Sequence, residues 1–456
     1  MDILGNIVYF LIAIVLLILI HELGHFIVAR LCGVYVERFS LGFGPVIYSY
    51  KGSNGTEYSL SLLPLGGYVK MYGESVDSEQ VLISEENKKK SFSHKRVWQR
   101  FLIVGAGPFF NIVLAWILYS IVFCYGIDAA KPIVNVEANS VAQKAGFKTN
   151  DQIVSINNVN VSDWEETLYE LIGHSGEKSV EVQVKGNLGK DSLRNIILPL
   201  DAFSIDPEKQ DVLKDLGLDV KYVEVYDEIG HVEKNSPAEK ASLEVGDKIK
   251  SYNAINYTTW NEFTSYIKTH PNEEIFLEVY KGNDDVNAII KTLVPELREV
   301  NDKEIGFAGI APKVKRIEEV YFTKQYPFGE AIIKGAQKTG HMSCVTLNFI
   351  TKFITGDISH KNVSGPIGIA KGAGMTARIS FVVYLSFLAL ISVNLGVLNL
   401  LPVPVLDGGH LLFYIVEAIR GKPLSEKLMN VLLKIGMFLL LMLMSLSIFN
   451  DIVFNI

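Results

Sequence analysis

Five residues near the N-terminus, His21-Glu22-Leu23-Gly24-His25, close an otherwise apolar run from Ile7 to Ile20. Ionisable groups within a stretch able to cross a bilayer are costly, and membrane chains keep them there for function. If the run is helical, His21 and His25 share a face, where two imidazole nitrogens can hold one metal ion. Paired imidazoles favour Zn²⁺, and Glu22 beside them is placed to act as general base toward a water that the ion activates. The plain alternative is chance, because H-E-x-x-H is a short pattern. A chance match falls far more readily in a polar segment than in an apolar one.

Four stretches read as membrane spans: Ile3 to Ala29, Phe101 to Tyr125, Ile379 to Leu401 and Met429 to Phe449. Each is near the roughly 20 residues that cross a bilayer as a helix. Between the first two lie Arg30, Arg38, Lys51, Lys70, Lys88, Lys89, Lys90, Lys95, Arg96 and Arg100; between the last two lie Arg420, Lys422 and Lys427. Excess positive charge marks cytoplasmic loops, so both links are expected inside. The long region from Ile127 to Lys371 and both termini are then expected outside, which in a Gram-negative cell is the periplasm. The first residues, Met1 to Asn6, lack the basic stretch and small-residue cleavage site of a signal peptide, so the first span is expected to be retained. A net charge of −7 argues against nucleic acid as a main partner. Cys32, Cys124 and Cys344 are too scattered for a disulfide framework or a CxxC zinc site.

The middle region repeats itself at an offset of 96. Ser140 to Ile153 lines up with Ser236 to Ile249, and the match continues through Ser155 and Ser251, Asn157 and Asn253, Asn160 and Asn256, and Trp164 and Trp260. A repeat this long implies two tandem copies of one domain. The shared pattern N-S-x-A-x-x-A-[GS]-[FL]-x-x-x-D-x-I resembles the core of PDZ domains, which implies a sheet edge able to take an extended peptide. Gly217-Leu218 and Gly306-Phe307 are candidate carboxylate-binding loops. A spacer or size filter with no bound peptide is the alternative. Beyond the repeats, apolar residues from Ile332 to Phe353 recur at helical spacing. They suit helices on the membrane surface or against the spans, or equally an amphipathic face packed on the second repeat.

A catalytic zinc takes three protein ligands and leaves one position open. Asn399-Leu-Leu-Pro402-Val-Pro404-Val-Leu-Asp407-Gly-Gly-His410 offers the third at Asp407, flanked by apolar residues at the end of the third span. Pro402 and Pro404 are expected to break the helix and hold an extended segment, and Gly408 and Gly409 to allow close backbone approach. Both the first and third spans run inward, so His21, His25 and Asp407 can reach one depth. The alternative for Asp407 is an N-cap on a helix starting near Gly408. Asn394 and Asn399 are placed to hydrogen-bond a substrate backbone, with interhelical bonding as their alternative.

These motifs together resemble the site-2 protease family of intramembrane zinc metalloproteases. Leu41-Gly-Phe-Gly-Pro45, Leu63-Pro-Leu-Gly-Gly-Tyr-Val-Lys-Met71 and Ser364-Gly-Pro-Ile367 carry the likeness beyond the catalytic residues. The resemblance implies His21, His25 and Asp407 as zinc ligands and Glu22 as the base. It implies cleavage of single-span membrane proteins, namely an anti-sigma factor already trimmed outside and remnant signal peptides, within an envelope stress response. It also implies a membrane-associated β-loop whose edge, near Tyr58 to Leu63 and Gly67 to Met71, takes the substrate as an added strand. Gly67 and Tyr68, together with Asn394, Asn399, Pro402 and Pro404, are the candidate substrate-binding residues.

The expected fold is an α-helical polytopic membrane protein of about four transmembrane helices, with that β-loop and two tandem PDZ-like α+β domains between helices two and three. The segments are 1–30 (first helix), 31–100 (β-rich loop), 101–126 (second helix), 127–220 and 221–315 (the repeats), 316–375 (amphipathic linker), 376–410 (third helix), 411–428 (cytoplasmic link) and 429–456 (fourth helix). Partners are the lipid bilayer, single-span substrates and peptide C-termini at the repeats. Other readings are a membrane-anchored PDZ binding module with a structural metal site, a metal-ion transporter and a peripheral zinc protease. Glu22 argues against the first, since it adds buried charge without adding a ligand. The apolar second and fourth spans, with Asn111 the main exception, argue against the transporter. An HELGH set in a span argues against the peripheral protease.

Overall fold

In the computed structural model Asp2–Leu31 form one continuous helix, α1, so the HELGH residues do not interrupt the first span. The structure describes residues 2–454 apart from 75–84, 202, 204–212, 221–222, 282–287, 301–302, 360 and 362. The boundary expected between the two repeats, at 220 and 221, touches that undescribed set. At 1.5 Å per residue α1 is about 45 Å long, which puts the histidines in its last third.

After α1 the chain forms β1 (Val36–Lys51) and β2 (Glu57–Met71). Both strands bend, β1 at Gly42 and Gly44, whose positive φ angles of 87° and 86° suit glycine. Residues 38–41 therefore lie opposite both 67–70 and 57–60, and 57–60 lie opposite both 38–41 and 48–51. Gly67–Met71 thus has a partner on one side only and forms a sheet edge. Tyr58 to Leu63, expected at an edge, is flanked on both sides over Tyr58 to Leu60 because the bend in β1 lays 48–51 beside it. Phe39 packs on Phe26 of α1 and on Tyr58, which fixes the sheet to the end of α1. The far side stays open: Ile47, Tyr48, Tyr50 and Leu62 are all exposed. A short helix, α2 (Glu85–Lys88), precedes α3 (Val97–Tyr125).

The chain then leaves the bundle through β3 (Ile127–Ala130). The first repeat contains β4 (Val134–Val136), α4 (Val141–Ala145), β5 (Gln152–Ile156), β6 (Val159–Asn160), α5 (Trp164–Gly173), β7 (Ser179–Lys185), α6 (Gly186–Gly189), β8 (Leu193–Pro199) and β9 (Leu218–Val220). Its sheet runs β6-β5-β7-β8, with β4 paired to β9. The second contains β10 (Val223–Val232), α7 (Pro237–Lys240), β11 (Lys248–Tyr252), β12 (Ile255–Asn256), α8 (Trp260–Thr269), β13 (Ile275–Tyr280), β14 (Ala288–Leu293), the β15 (Glu296–Val300) and β16 (Lys303–Phe307) hairpin, and β17 (Ile310–Arg316). Its sheet runs β14-β13-β11-β10-β17.

The aligned residues do the same work in both copies. Ser140 and Ser236 cap α4 and α7 by accepting from the backbone N–H three residues on. Asp151 and Asp247 are buried, accept from Lys148 N and Glu244 N, and pair with Arg194 and Lys291. Asn157 and Asn253 take φ angles of 44° and 45° in the turn that follows. The glycine that stacks on the capping serine is Gly217 in one copy and Gly309 in the other, both with positive φ. Gly306-Phe307, the expected loop, instead lies in β16, where the missing Cβ admits the carbonyl of Ile267.

The chain returns through β18 (Tyr321–Lys324), which pairs with β3 and joins entry to exit. Four helices follow before the last span: α9 (Phe328–Thr355), α10 (Pro366–Ile379), α11 (Phe381–Asn399) and α12 (Asp407–Arg420), and then α13 (Glu426–Phe454). α1, α3, α11 and α13 are long and apolar enough to cross a membrane. α9 packs on α3, α11 and α5, so its apolar stripe serves the spans and the first repeat. Ser380 ends α10 and caps α11 by accepting from Val383 N. Near the end of α13 the buried Asp451 accepts from the backbone N–H groups of Gly365, Ile367 and Gly368, tying the last helix to the start of α10.

The first repeat is pinned at the buried ammonium of Lys324, 2.6 Å from Asp163 and 2.7 Å from Glu166. Burial opposes the Glu166 charge, but the adjoining Lys324 outweighs it and holds the carboxyl down at about 2. Lys324 is raised by the two carboxylates despite its burial. A depressed acid contributes stability above its ordinary range and loses it as pH falls through the folded value; a raised lysine loses its contribution only on the alkaline side. The melting temperature of wild type should therefore exceed that of Lys324→Met at neutral pH, with the gap closing between about pH 4.5 and 2. A gap that stays constant over that range would refute the assignment.

Candidate metal centre

α1 presents His21 and His25 to α3, and Asp407, the first residue of α12, meets them from the other side. His21 Nε2 is 3.2 Å from His25 Nε2 and 3.2 Å from Asp407 Oδ2, and His25 Nε2 is 3.6 Å from the same oxygen. Among the described residues this is the one group of three or more such side chains gathered closely enough to hold a metal ion. A tetrahedral zinc with ligand bonds of about 2.0–2.1 Å needs donors about 3.3 Å apart, and these edges fit. Two nitrogens and one carboxylate leave the fourth position for water. The sequence motif's remaining histidine, His410, packs edge-on against Phe413 and stands outside the group.

Close backbone approach makes the cluster possible. A Cβ on Gly107 of α3 would lie 2.3 Å from His25 Nε2, and one on Gly24 would lie 2.5 Å from the Ala106 carbonyl. Only glycine at both positions lets α1 and α3 meet with two imidazoles between them. Ile103, Gly107 and Asn111 are spaced by four and lie along one face of α3. Ile103 supplies its carbonyl oxygen to the His25 Nδ1–H at 2.9 Å, which leaves Nε2 free to ligate. The Asn111 side chain lies 3.1 Å from His21 Nδ1. The Gly-Ala-Gly run at 105–107 within a span was the available signal for this contact, as small residues mark close helix packing in membranes.

Asp407 is held by α12, which is fastened to α3 through the Arg100–Glu417 ion pair at 2.6 Å and by Arg100 over the Tyr414 ring. The helix takes Leu406 as its N-cap residue, so Asp407 stands one position inside rather than capping. The segment from Leu400 to Leu406 is turned, not extended: Val403 N bonds to Leu401 O and Leu406 N to Val403 O. The prolines stop α11, but the chain must reverse over a short distance to present Asp407. Gly408 and Gly409 permit this, since a Cβ on either would meet the Leu401 or Val403 carbonyl within 2.4 Å.

Glu22 is buried close enough to His25, His21 and Asp407 to feel the charge of each. Its stem lies against Gly67, where a Cβ would be 2.9 Å from Glu22 Cγ. Of the other candidate residues, Tyr68 accepts from Arg38 and stacks on Phe43. The Asn394 side-chain oxygen accepts from Thr346 of α9 at 2.8 Å, an interhelical bond that the sequence left as the alternative. Asn399 ends α11 half-buried, Pro402 is exposed and Pro404 half-buried.

The model of peptidase family M50 matches residues 9–443. The chain belongs to peptidase family M50. It is 39% identical over 444 residues to the regulator of sigma-E protease RseP of Escherichia coli (strain K12), covering 97% of each chain. It is 40% identical over 445 residues to the regulator of sigma E protease of Haemophilus influenzae, again 97% of each. A Vibrio cholerae relative whose name places it with the zinc metalloproteases is 40% identical over 455 residues, 99% of each. This M50 peptidase is a zinc-dependent intramembrane protease of the inner membrane that acts on membrane-protein substrates in the bilayer.

Replacing Gly107 with Ala should displace the His25 ring and lower zinc affinity roughly tenfold or more, while the helix content stays that of wild type. Metal analysis and circular dichroism on the same samples decide it; unchanged zinc content would show that α3 yields without cost.

Proposed function

We propose that His21, His25 and Asp407 are the zinc ligands of this M50 peptidase and that Glu22 is its general base. The near-equilateral donor triangle with a carboxylate beside it carries the reading. Zinc held there supplies Lewis acidity toward a peptide carbonyl and an acidified water. Glu22, whose carboxylate stands beside the three donors, would hold a proton taken from the attacking water and give it to the leaving amine. It adds buried charge without completing the ligand set, which a purely structural site would not require.

The substrate is a single-span membrane protein, and its helix must unwind before a peptide bond is exposed. The free edge at Gly67–Met71 runs beside Glu22 and can pair with the unwound segment by backbone hydrogen bonds. Gly67 and Tyr68 line that edge, and Asn399, Pro402 and Pro404 border the site from the end of α11. Asn394, on the same helix, is a further candidate, with its side-chain oxygen engaged by Thr346. The loop charges favour a zinc site toward the cytoplasm, with the repeats and both termini in the periplasm. Residues 127–220 and 221–315 are PDZ-like domains, supported by their shared helix, turn and edge-strand plan. They receive peptide C-termini exposed by an earlier cut. The substrates are an anti-sigma factor and remnant signal peptides, a reading consistent with relatives named for regulation of sigma E.

Purified Glu22→Gln should keep its zinc and cut a single-span test substrate about 10²- to 10⁴-fold more slowly than wild type. Zinc content and gel-based cleavage, measured together, check this; a variant that cuts at the wild-type rate would remove Glu22 from the chemistry. Tyr68→Pro removes a backbone N–H from the edge strand and should slow cleavage of the spanning substrate while leaving zinc content unchanged. Equal loss with a short soluble peptide would count against strand pairing.

A further inference from the structure

Asn111 is fully buried in α3, with its side-chain nitrogen 3.1 Å from His21 Nδ1 and its side-chain oxygen facing no partner. That combination does not suit a metal-binding histidine. His21 points Nε2 at His25 and Asp407, so ligation there requires a lone pair on Nε2 and the proton on Nδ1. An N–H facing an amide NH₂ sets donor against donor and leaves a buried acceptor empty, at a cost on both counts. The two ends of a carboxamide have the same shape, and their assignment follows from the hydrogen-bond network. Rotating the amide by half a turn removes the clash of donors: the oxygen accepts from Nδ1–H, and the NH₂ takes the place where the oxygen found no donor.

We infer that Asn111 is a positioning residue for the metal, its side-chain carbonyl accepting from His21 Nδ1–H. It holds the ring in the tautomer and orientation that ligate. The same device serves the other ligand, where the Ile103 carbonyl accepts from His25 Nδ1–H. Asn111 and Ile103 lie eight residues apart on one helix, so α3 sets both rings from one face. Ser392 of α11 donates to the Asn111 backbone carbonyl oxygen at 2.7 Å and fixes the turn that carries it. Outer partners of this kind commonly change metal affinity about 10- to 100-fold.

The inference rests on the zinc site proposed above, and one experiment separates the two. Zinc affinity of the full-length protein in detergent is measured by competition with a chromophoric chelator for wild type, Asn111→Leu and Asn111→Asp. Leu fills the space without an acceptor, and Asp keeps an acceptor but has no donor. The expected result is a loss of roughly 10- to 100-fold for Leu, with Asp close to wild type. A Leu variant with wild-type affinity, or a folded Asp variant as weak as Leu, overturns the inference. Where Leu does not fold, Asp decides alone: retention supports the acceptor role and loss overturns it. Wild type that binds no zinc would sink the metal site itself, which is a different failure.

Discussion

Four ionisable side chains share a small volume inside a helix bundle, and that is stable only where each polar atom finds a partner. The contact between α1 and α3 meets this demand. Gly24 and Gly107 remove the side chains that would separate the helices, and α3 then offers a carbonyl at Ile103 and an amide at Asn111 to the outer nitrogens of the two imidazoles. The inner nitrogens are left to converge with Asp407. Everything farther out supports that meeting: Arg100 holds α12, the turns from Leu400 to Leu406 aim Asp407, and the sheet rests on the end of α1.

The part of this arrangement that depends on local pattern was legible in the sequence. The i, i+4 histidines, the apolar lengths and the Asp-Gly-Gly after two prolines each have a short-range signature. The helix core expected at Ile379 to Leu401 is found at Phe381–Asn399. The part that depends on one backbone approaching another was not legible. The Gly-Ala-Gly run at 105–107 marks a close helix contact, but it does not say that an imidazole from α1 will be the group that lies on Gly107. Asn394 shows the same limit: an asparagine in a span must bond to something, but Thr346 is 48 residues away and its choice is a matter of packing. The turned segment at 400–406 was misread because two prolines favour extended backbone, whereas the demand to place Asp407 beside α1 selects a reversal.

The two repeats show why long-range identity can still be read when it is duplicated. Neither Asp151 nor Asp247 reveals its burial alone. Their shared offset from a capping serine reveals a common job, and in both copies that job is to accept a backbone N–H and pair with a cation two strands away in the sheet. The copies diverge where one of them meets the bundle. Glu166 pairs with Lys324, whereas the corresponding Glu262 accepts from the Thr258 hydroxyl and donates its backbone N–H to Thr259.

Gly67 has a consequence for selectivity. An edge that offers backbone N–H and C=O groups, with no side chain beside Glu22, reads no particular residue of what it holds. The site sits at a fixed distance along α1, and the outer strand leaves Ile47, Tyr48 and Tyr50 exposed. With a substrate held on that edge as proposed, the enzyme would measure from the membrane surface. It would choose a peptide bond by its depth and by how readily the surrounding helix melts, so that glycine or a polar residue at the right level matters more than any recognition motif.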